Sequence, residues 1–500
     1  MPSAPRRAAM VATVAAAVLI AHQVASKALR DAWFLGHHSA SELPWAMFAS
    51  AVLAIPFALF VGRWMTKVGP ARATAHLLLV HTGLFAMEWL LAPTLPELVS
   101  WALYLHVGAL GPLVVSAFWS IINERFDPRS AKHFMLWISG GATFGGVLGG
   151  VLAERISRHL SIDFLFALLA TISLATAFSL WRVGTVHDGC TPPSSAPSAY
   201  AIIRSNGYLK AVGTAIGLTA IMGTLLDYAM KAAADASFGS TTELMSFFSL
   251  FYTFTGLATF FVQSATSRGT IRRWGVVGAL STLPLAVLAA GAIATLFAQF
   301  WTLVLVRAAQ SILENSTFRS AYELLYTPLR PNQKRSTKPV LDVVFLRAGD
   351  VLGSAVLFAV VPWWSTQTPV LCVALAMGAS VLLLGVVRSL HRGYVRTLGE
   401  RLRDGQLDLE SPGGLEPAVR DSVAIDHGEV LGIDLDPAML RQAMHALTHD
   451  DPRIRGTAAE YLDNVLPDSI RTFLWPFMDE GLDHPRRVGI VRPHESPHLP

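Results

Sequence analysis

The sequence predicts an all-α polytopic membrane protein with twelve transmembrane helices in two six-helix bundles, followed by a small α-helical module. Two observations support this prediction. The 500-residue chain is 52% hydrophobic and only 15% charged, which is typical of proteins embedded in lipid. The chain also carries one long motif twice, once in each half, so the membrane part is expected to be a duplicated unit.

The duplicated motif runs from an apolar helix, through a short basic loop, into a second apolar helix rich in small residues. Residues 118–150 form the first copy and residues 318–356 the second, with six extra residues in the second loop. The aligned pairs are Lys132 with Lys338, Gly141 with Gly349 and Gly145 with Gly353. A duplicated membrane half is typical of transporters that rock two bundles about a central site.

Twelve segments are long and apolar enough to be spans, which need about 20 residues each. They are 8–35, 43–61, 71–91, 98–122, 133–153, 164–181, 208–231, 244–262, 274–290, 297–325, 339–361 and 369–387. The first segment lacks a small-residue cleavage site, so we expect a membrane helix there and not a cleaved signal peptide.

These spans define the expected domains, which follow in chain order. They are an N-terminal bundle (1–183), a cytoplasmic linker (184–204), a C-terminal bundle (205–390), a second cytoplasmic linker (391–435), a HEAT-like helical module (436–480) and a disordered tail (481–500). The Gly140–Gly146 run GGATFGG lies within a span, so we expect close helix packing there and not a phosphate-binding loop.

Positive charge predicts the sidedness. Seventeen Lys and Arg residues fall in the amino terminus and the even-numbered loops, and two in the odd-numbered loops. Basic loops face the cytoplasm, so we expect a multi-pass protein of the inner cell membrane with both termini inside. Basic loops beside anionic lipid also explain the net charge of +4, and we expect the lipid bilayer as a partner and no nucleic acid polymer.

The sequence lacks the patterns of catalytic and metal sites. It contains no nucleophile elbow, phosphate loop or dinucleotide fingerprint, and its 16 histidines are scattered. We therefore expect no enzyme activity, no metal and no cofactor.

The segment after the last span resembles a HEAT repeat. Residues 437–447 and 452–462 are two amphipathic helices joined by a turn, and Ile454, Ala458 and Leu462 share one face of the second helix. A single pair cannot bury its own apolar face. The alternatives are a docking or stabilising module, which could take a cytoplasmic protein partner, and a ligand-binding role.

Ionisable residues within the spans are the candidates for function, because a charge in a membrane helix needs a partner or a watery cavity. The predicted substrate site is Lys27, Arg30, Asp31, Asp227, Tyr228, Lys231, Arg307, Glu314, Arg347 and Asp350. Its five cations exceed its four acids by one, which favours an anionic small molecule. Structural ion pairs are the alternative, since Asp227 and Lys231 lie four residues apart on one helix face.

Two further groups stand out by their position. Glu124, Lys132, Glu323, Lys338 and Asp342 lie at cytoplasmic helix ends, where they are either snorkelling residues or a gate of ion pairs, with Lys338 and Asp342 spaced as an intrahelical pair. Glu88 lies alone in the third span. It is either a proton-coupling site or an acid satisfied by neighbours such as His81 or His106.

Long segments around these residues resemble the ATP/ADP translocase family of the major facilitator superfamily. The resemblance rests on ERFDPRSAK at 124–132, LLDYAMKAAA at 225–234 and SAYELLYTPLRPNQKRSTKPVLDVV at 320–344, and it covers roughly residues 8–390. It implies two six-helix bundles of the major facilitator type around a central nucleotide site, and some bacterial members carry HEAT-like tails.

The chain departs from the nucleotide exchangers of that family at two places. Arg30-Asp31 stands where they have a Lys-Asp pair, and Asp350 stands where a Leu-Gly-Lys-Ser-Gly run has its cation. Three hypotheses follow: a transporter of nucleotides or related phosphorylated anions, a major-facilitator transporter or exporter of another solute, and a membrane scaffold or sensor that anchors the HEAT-like module.

Overall fold

The computed structural model describes residues 4–125, 128–183, 199–265, 267–326 and 328–405, the last range without 330–332, 334–336, 339 and 364–366. Beyond residue 405 it describes Ala443, Ala446, Ala458, Tyr461 and Leu462. These parts of the chain form helices and turns and contain no strand. The all-α prediction is confirmed for them.

The first half consists of six long helices, and each predicted span of this half lies within one of them. They are α1 (Ala4–His37), α2 (Leu43–Val68), α3 (Pro70–Leu91), α4 (Pro96–Arg125), α5 (Pro128–His159) and α6 (Asp163–Val183). The connections are short, and a 3₁₀ turn, Ala40–Glu42, joins α1 to α2.

The second half repeats this arrangement with two interruptions. Its helices are α7 (Ala199–Ser205), α8 (Gly207–Ser237), α9 (Thr241–Ala265), α10 (Ser267–Leu296), α11 (Phe300–Leu313), α12 (Arg319–Leu324), α13 (Leu346–Val360) and α14 (Thr368–Gly405). A π-helical turn, Glu314–Phe318, joins α11 to α12, and another, Leu341–Phe345, leads into α13. In α10, Gly275 has φ 65° and kinks the helix, a backbone conformation that glycine adopts without a steric cost.

Ten helical segments of the described residues are long and apolar enough to cross a membrane. They correspond to the predicted spans apart from the fifth and the tenth. The fifth lies in the glycine-rich α5, and the π turn Glu314–Phe318 divides the tenth into two shorter helices. Twelve membrane crossings therefore stay a prediction.

Glycines let α5 pack directly on α1. At Gly141, Gly145 and Gly149 an added Cβ would collide with the α1 backbone, which leaves no space for a side chain. The facing α1 residues are Thr13, Ala17 and Ala21. This geometry confirms that the Gly140–Gly146 run serves close helix contact, as small residues do in membranes.

The matched glycines of the second copy occupy the equivalent place in the second half. Gly349 packs against Gly217 of α8, and Gly353 packs against Thr224, two turns further along the same helix. The pairs α5–α1 and α13–α8 are therefore built by the same motif, which supports the predicted duplication.

The two halves meet where α1 and α5 contact α9, where α2 contacts α13, and where the Ala40–Glu42 turn contacts α8. At the helix ends predicted to face outward, the Ala40 amide donates to Asp235 Oδ2 at 3.1 Å. Nearby, Arg158 Nε donates to Ser246 Oγ at 3.3 Å. These bonds tie the halves together at that end of the bundle.

Little of the region after the last span is described. Residues 391–405 are helical and continue the last helix α14. Ala458 and Leu462, predicted to line one face of a tail helix, are helical and buried. Most of the linker 184–204, residues 406–435, the rest of 436–480 and the tail 481–500 lie outside the described residues, so the HEAT-like module stays a prediction.

Candidate functional site

A cavity of about 250 Å³ lies between the two halves. Helices α1, α2 and α4 supply its wall from the first half, and α8, α11 and α13 supply it from the second. Its charged lining residues are Arg30, Asp227, Arg307, Glu314, Arg347 and Asp350. Six of the ten predicted substrate-site residues therefore line one space, with three arginines and three carboxyl groups.

A continuous chain of ion pairs runs along one wall of this cavity. Arg30 Nη2 lies 2.8 Å from Asp31 Oδ1, and Lys231 Nζ lies 2.9 Å from the same oxygen. Lys231 Nζ is also 2.7 Å from Asp227 Oδ2, and Arg307 Nη2 is 3.0 Å from Asp227 Oδ1. Three cations and two acids thus connect α1 of the first half with α8 and α11 of the second.

The middle of the chain is completely buried. The side chains of Asp31 and Lys231 are both 0% exposed, and neither lines the cavity. Charges in such a dry place persist only when they are paired. Asp31 and Lys231 therefore form a supporting layer that holds Arg30 and Asp227 in position. The predicted pairing of Asp227 with Lys231 is present, but Lys231 also bridges to the other half.

Two tyrosines complete the site, although the charge pattern of the sequence does not single them out. Tyr252 Oη donates to Asp31 Oδ2 at 2.5 Å. Lys231 Nζ lies 3.4 Å from Tyr104 Oη, and the Arg30 guanidinium carbon lies 4.8 Å from the centroid of the Tyr104 ring. The position of each tyrosine within an apolar span could have predicted its role, since a buried hydroxyl group needs a polar partner.

A buried glutamine connects the charges of α11. Arg307 Nη1 donates to Gln310 Oε1, and Gln310 Nε2 donates to Glu314 Oε2 at 2.5 Å. Both Arg307 and Glu314 line the cavity, as their seven-residue spacing predicts. Glu314 is the first residue of a π turn, a feature often found at functional sites because it re-aims the side chains that follow.

The arginine of α13 has its partner on the same helix. Arg347 Nη1 lies 3.0 Å from Asp350 Oδ2, three residues away. Asp350 Oδ1 also accepts a hydrogen bond from Thr224 Oγ1 on α8 at 3.3 Å. Asp350 therefore offsets the charge of Arg347, and it lowers the positive charge of this wall.

Lys27 and Tyr228 are the two predicted site residues that neither line the cavity nor join the chain of ion pairs. Lys27 forms no ion pair with any described residue, and its Nζ lies 6.0 Å from the centroid of the Tyr252 ring. Tyr228 is buried among apolar side chains and does not line the cavity. It follows Asp227 directly, and adjacent residues of a helix point about 100° apart.

The candidate gate residues of the second half form one cluster. Lys338 Nζ lies 2.5 Å from Glu323 Oε2, so Lys338 pairs with Glu323 instead of Asp342, which the four-residue spacing predicted. Asp342 accepts a hydrogen bond from Tyr322 and lies 3.8 Å from Arg319. The side chains of the remaining two candidates, Glu124 and Lys132, lie outside the described residues, so a link between the halves here stays a prediction.

Comparison with known proteins agrees with this architecture. Residues 194–394 match the model of the family described as "TLC ATP/ADP transporter". ADP,ATP carrier protein 1 of Chlamydia muridarum is 31% identical over 325 residues, which cover 55% of this chain and 61% of that protein. ADP,ATP carrier protein 1 of Chlamydia pneumoniae is 24% identical over 395 residues, which cover 67% of this chain and 76% of that protein. The chain thus spans less than two thirds of the C. muridarum carrier.

Solved structures share the fold. The nucleoside transporter NupG superposes with a TM-score of 0.57 at 12% identity, covering 76% of this chain and 98% of NupG. The human organic anion transporter MFSD10 gives a TM-score of 0.54 at 14% identity, covering 77% of this chain and all of MFSD10.

The chain therefore has the fold of these two solved structures, with two bundles of membrane-length helices and a charged cavity between them. Within that fold, the family match and the two chlamydial relatives confirm the predicted resemblance to ATP/ADP translocases.

Proposed function

We propose that this protein is a secondary transporter that moves nucleotides or related phosphorylated organic anions by alternating access. The observation that carries the proposal is the cavity between the halves, into which three arginines project from α1, α11 and α13. Guanidinium groups bind phosphate and carboxylate oxygens through paired hydrogen bonds. A site at the boundary of two bundles is where transporters of this architecture bind their solutes.

The balance of charge supports an anion. The chain Arg30–Asp31–Lys231–Asp227–Arg307 has three cations and two acids. Arg347 and Asp350 cancel each other, and the Glu314 carboxylate, whose partner Gln310 is neutral, offsets the surplus of the chain, so the net positive charge of the site comes from one further cation. Lys27 adds a cation nearby. Excess positive charge in a low-dielectric site attracts anions more strongly than it would in water.

The contacts between the halves support a cycle in which the site faces alternate sides. Ala40 and Asp235, with Arg158 and Ser246, join the halves at the end predicted to lie outside. We infer an inward-facing state from these contacts at the outer end. Twelve membrane crossings and cytoplasmic termini in an inner membrane belong to the same proposal.

Two observations favour a second candidate, a transporter of a smaller organic anion. The cavity of about 250 Å³ is below the range of roughly 300–1,000 Å³ usual for small-molecule sites. In addition, Asp350 cancels the charge of Arg347 where a polyphosphate would need cations. A nucleotide therefore requires a wider cavity in another state of the cycle, whereas a monophosphate or carboxylate does not.

Uptake into proteoliposomes tests the proposal. Purified protein is reconstituted, and labelled ATP, ADP, phosphorylated sugars and dicarboxylates are offered in turn, with and without unlabelled solute inside. We expect saturable uptake of at least one anion and its loss in Arg30→Gln and Arg347→Gln. The matched control is Arg63→Gln, which removes an arginine of α2 that lies outside the cavity.

The outcomes separate the hypotheses. Wild-type rates in Arg30→Gln and Arg347→Gln, at equal folded yield, would remove these residues from the site. Uptake of small anions but not of nucleotides would favour the second candidate, a transporter of a smaller organic anion. No uptake of any anion by the wild type would favour the scaffold.

A further inference from the structure

A second polar cluster lies inside the first bundle, away from the cavity. His106 Nδ1 is 3.0 Å from Glu88 Oε1, and His106 Nε2 is 2.9 Å from His81 Nδ1. Glu88 is 1% exposed, His81 is 2% exposed and His106 is 6% exposed. Three titratable side chains from α3 and α4 thus form one hydrogen-bonded row within the membrane-spanning part of the protein.

The row has an unpartnered atom at each end. Among the described residues, Glu88 Oε2 and His81 Nε2 are buried and make no hydrogen bond. A cluster that serves only helix packing is expected to satisfy all of its buried polar atoms, because each unpaired one is costly in lipid. The two open positions lie where a proton would enter and leave such a row.

The geometry permits the row to bind and release one proton. With Glu88 ionised, His106 Nδ1–H donates to Glu88 Oε1 and His81 Nδ1–H donates to His106 Nε2, which leaves Glu88 Oε2 and His81 Nε2 as open acceptors. A proton from water that binds Glu88 Oε2 neutralises the carboxylate directly. A proton that binds His81 Nε2 instead moves the His81 Nδ1 proton to His106 Nε2 and the His106 Nδ1 proton to Glu88 Oε1. The reverse of either path returns one proton to water and restores the negative charge of the row.

The row runs from one membrane surface toward the middle of the bundle. Glu88 lies three residues before the end of α3 at Leu91, about 5 Å of helix rise. His81 lies ten residues before that end, about 15 Å of helix rise, near the centre of a hydrocarbon core about 30 Å thick. The sidedness of the basic loops assigns the Leu91 end to the outside.

The row is mechanically connected to the cavity. His106 lies on α4 between Tyr104 and Gly108, two residues of this helix that line the cavity. A change of charge on α4 therefore acts on an element of the site itself. Such a charge interacts strongly in a dry interior.

We propose that Glu88, His106 and His81 form a proton relay that couples solute movement to an inward proton gradient; this inference rests on the proposed transport function. Other groups face the relay from the helices packed around it. Among the residues that the structure describes, His22 of α1 is the further titratable one: its ring centroid is 6.0 Å from that of His81, and its Nε2 lies 2.9 Å from Ser173 Oγ of α6. Ser173 therefore occupies one ring nitrogen of His22.

Infrared difference spectroscopy tests the proton site without any transport. Purified protein in lipid is titrated with acid, and the carboxylic acid C=O band is followed in the wild type, in Glu88→Gln and in the matched control Glu97→Gln. Glu97 is an exposed glutamate in the first turn of α4. We expect a titrating band that Glu88→Gln lacks, that Glu97→Gln keeps, and that shifts in His106→Gln because its hydrogen-bond partner changes. A spectrum unaltered by Glu88→Gln would overturn the relay.

Transport of labelled ATP tests the coupling. Proteoliposomes receive an inward gradient of about one pH unit, which can drive roughly tenfold accumulation per coupled proton. We expect this accumulation in the wild type and Glu97→Gln and its loss in Glu88→Gln, while exchange of ATP at equal pH persists in all three. Accumulation by Glu88→Gln would overturn the coupling. If the wild type neither accumulates nor exchanges ATP, the proposed nucleotide transport fails, and the infrared titration still decides the proton site.

Discussion

Removal of Lys231 gives the most direct test of the central charge network. Its ammonium group lies 2.9 Å from Asp31 and 2.7 Å from Asp227, and its side chain is 0% exposed. Breaking a buried ion pair by removing one partner costs about 3–5 kcal/mol. Each carboxylate keeps an arginine after Lys231→Met, Arg30 for Asp31 and Arg307 for Asp227. We therefore expect a loss of about 3 kcal/mol, the lower end of that range.

The double variant Asp31→Asn/Lys231→Met separates the interaction energy of the Asp31–Lys231 ion pair from the cost of replacing each side chain. Directly contacting residues show coupling energies of about 0.5–3 kcal/mol. Because both side chains are completely buried, we expect a coupling energy in the upper part of that range. The double variant should therefore be more stable than the sum of the single changes predicts. The assay is reversible unfolding in mixed micelles followed by tryptophan fluorescence. Lys210→Met, an exposed lysine of the same helix, is the matched control.

Two results would refute this reasoning. Equal stabilities of Lys231→Met and Lys210→Met would mean that water reaches the pair and screens it. Additive effects of Asp31→Asn and Lys231→Met would mean that the two side chains do not depend on each other, contrary to the 2.9 Å contact.

Two further predictions concern the framework around the site. Gly145→Val should prevent stable packing of α5 on α1, because the new Cβ would meet the backbone of Ala17. The control Gly140→Val has open space around the new side chain and should fold normally. Equal yields of folded protein in the two variants would contradict the glycine contact. Tyr252→Phe removes the hydroxyl that donates to Asp31. The free energy of unfolding should therefore fall by about 1.5–3 kcal/mol, the contribution typical of a hydrogen bond to a charged group. A negligible change would show that Asp31 does not depend on the hydroxyl of Tyr252.

The sequence was sufficient for the helices because membrane burial imposes a strong local pattern. Each predicted span of the first half lies within one observed helix, since a segment that crosses lipid must be long, apolar and internally hydrogen-bonded. The repeated glycines also carried local information: Gly145 and Gly353 mark the contacts of α5 with α1 and of α13 with α8. The same pattern failed at Glu314–Phe318, where the helix changes to a π turn that apolarity does not encode.

The sequence by itself identified the ionisable residues that need a partner or a watery cavity. Such a residue can be recognised in an apolar span whichever way its side chain points. The sequence named Asp31, Asp227 and Lys231, and it allowed Asp227 to pair with Lys231 by their spacing. Only the tertiary structure decided that Lys231 also reaches Asp31 of the other half, and that Tyr252 shares the same carboxylate. Ion pairs within one helix follow from the helical periodicity of the sequence. Ion pairs between the two halves depend on how the two bundles pack, and no short stretch of sequence contains the distance between residues of different bundles.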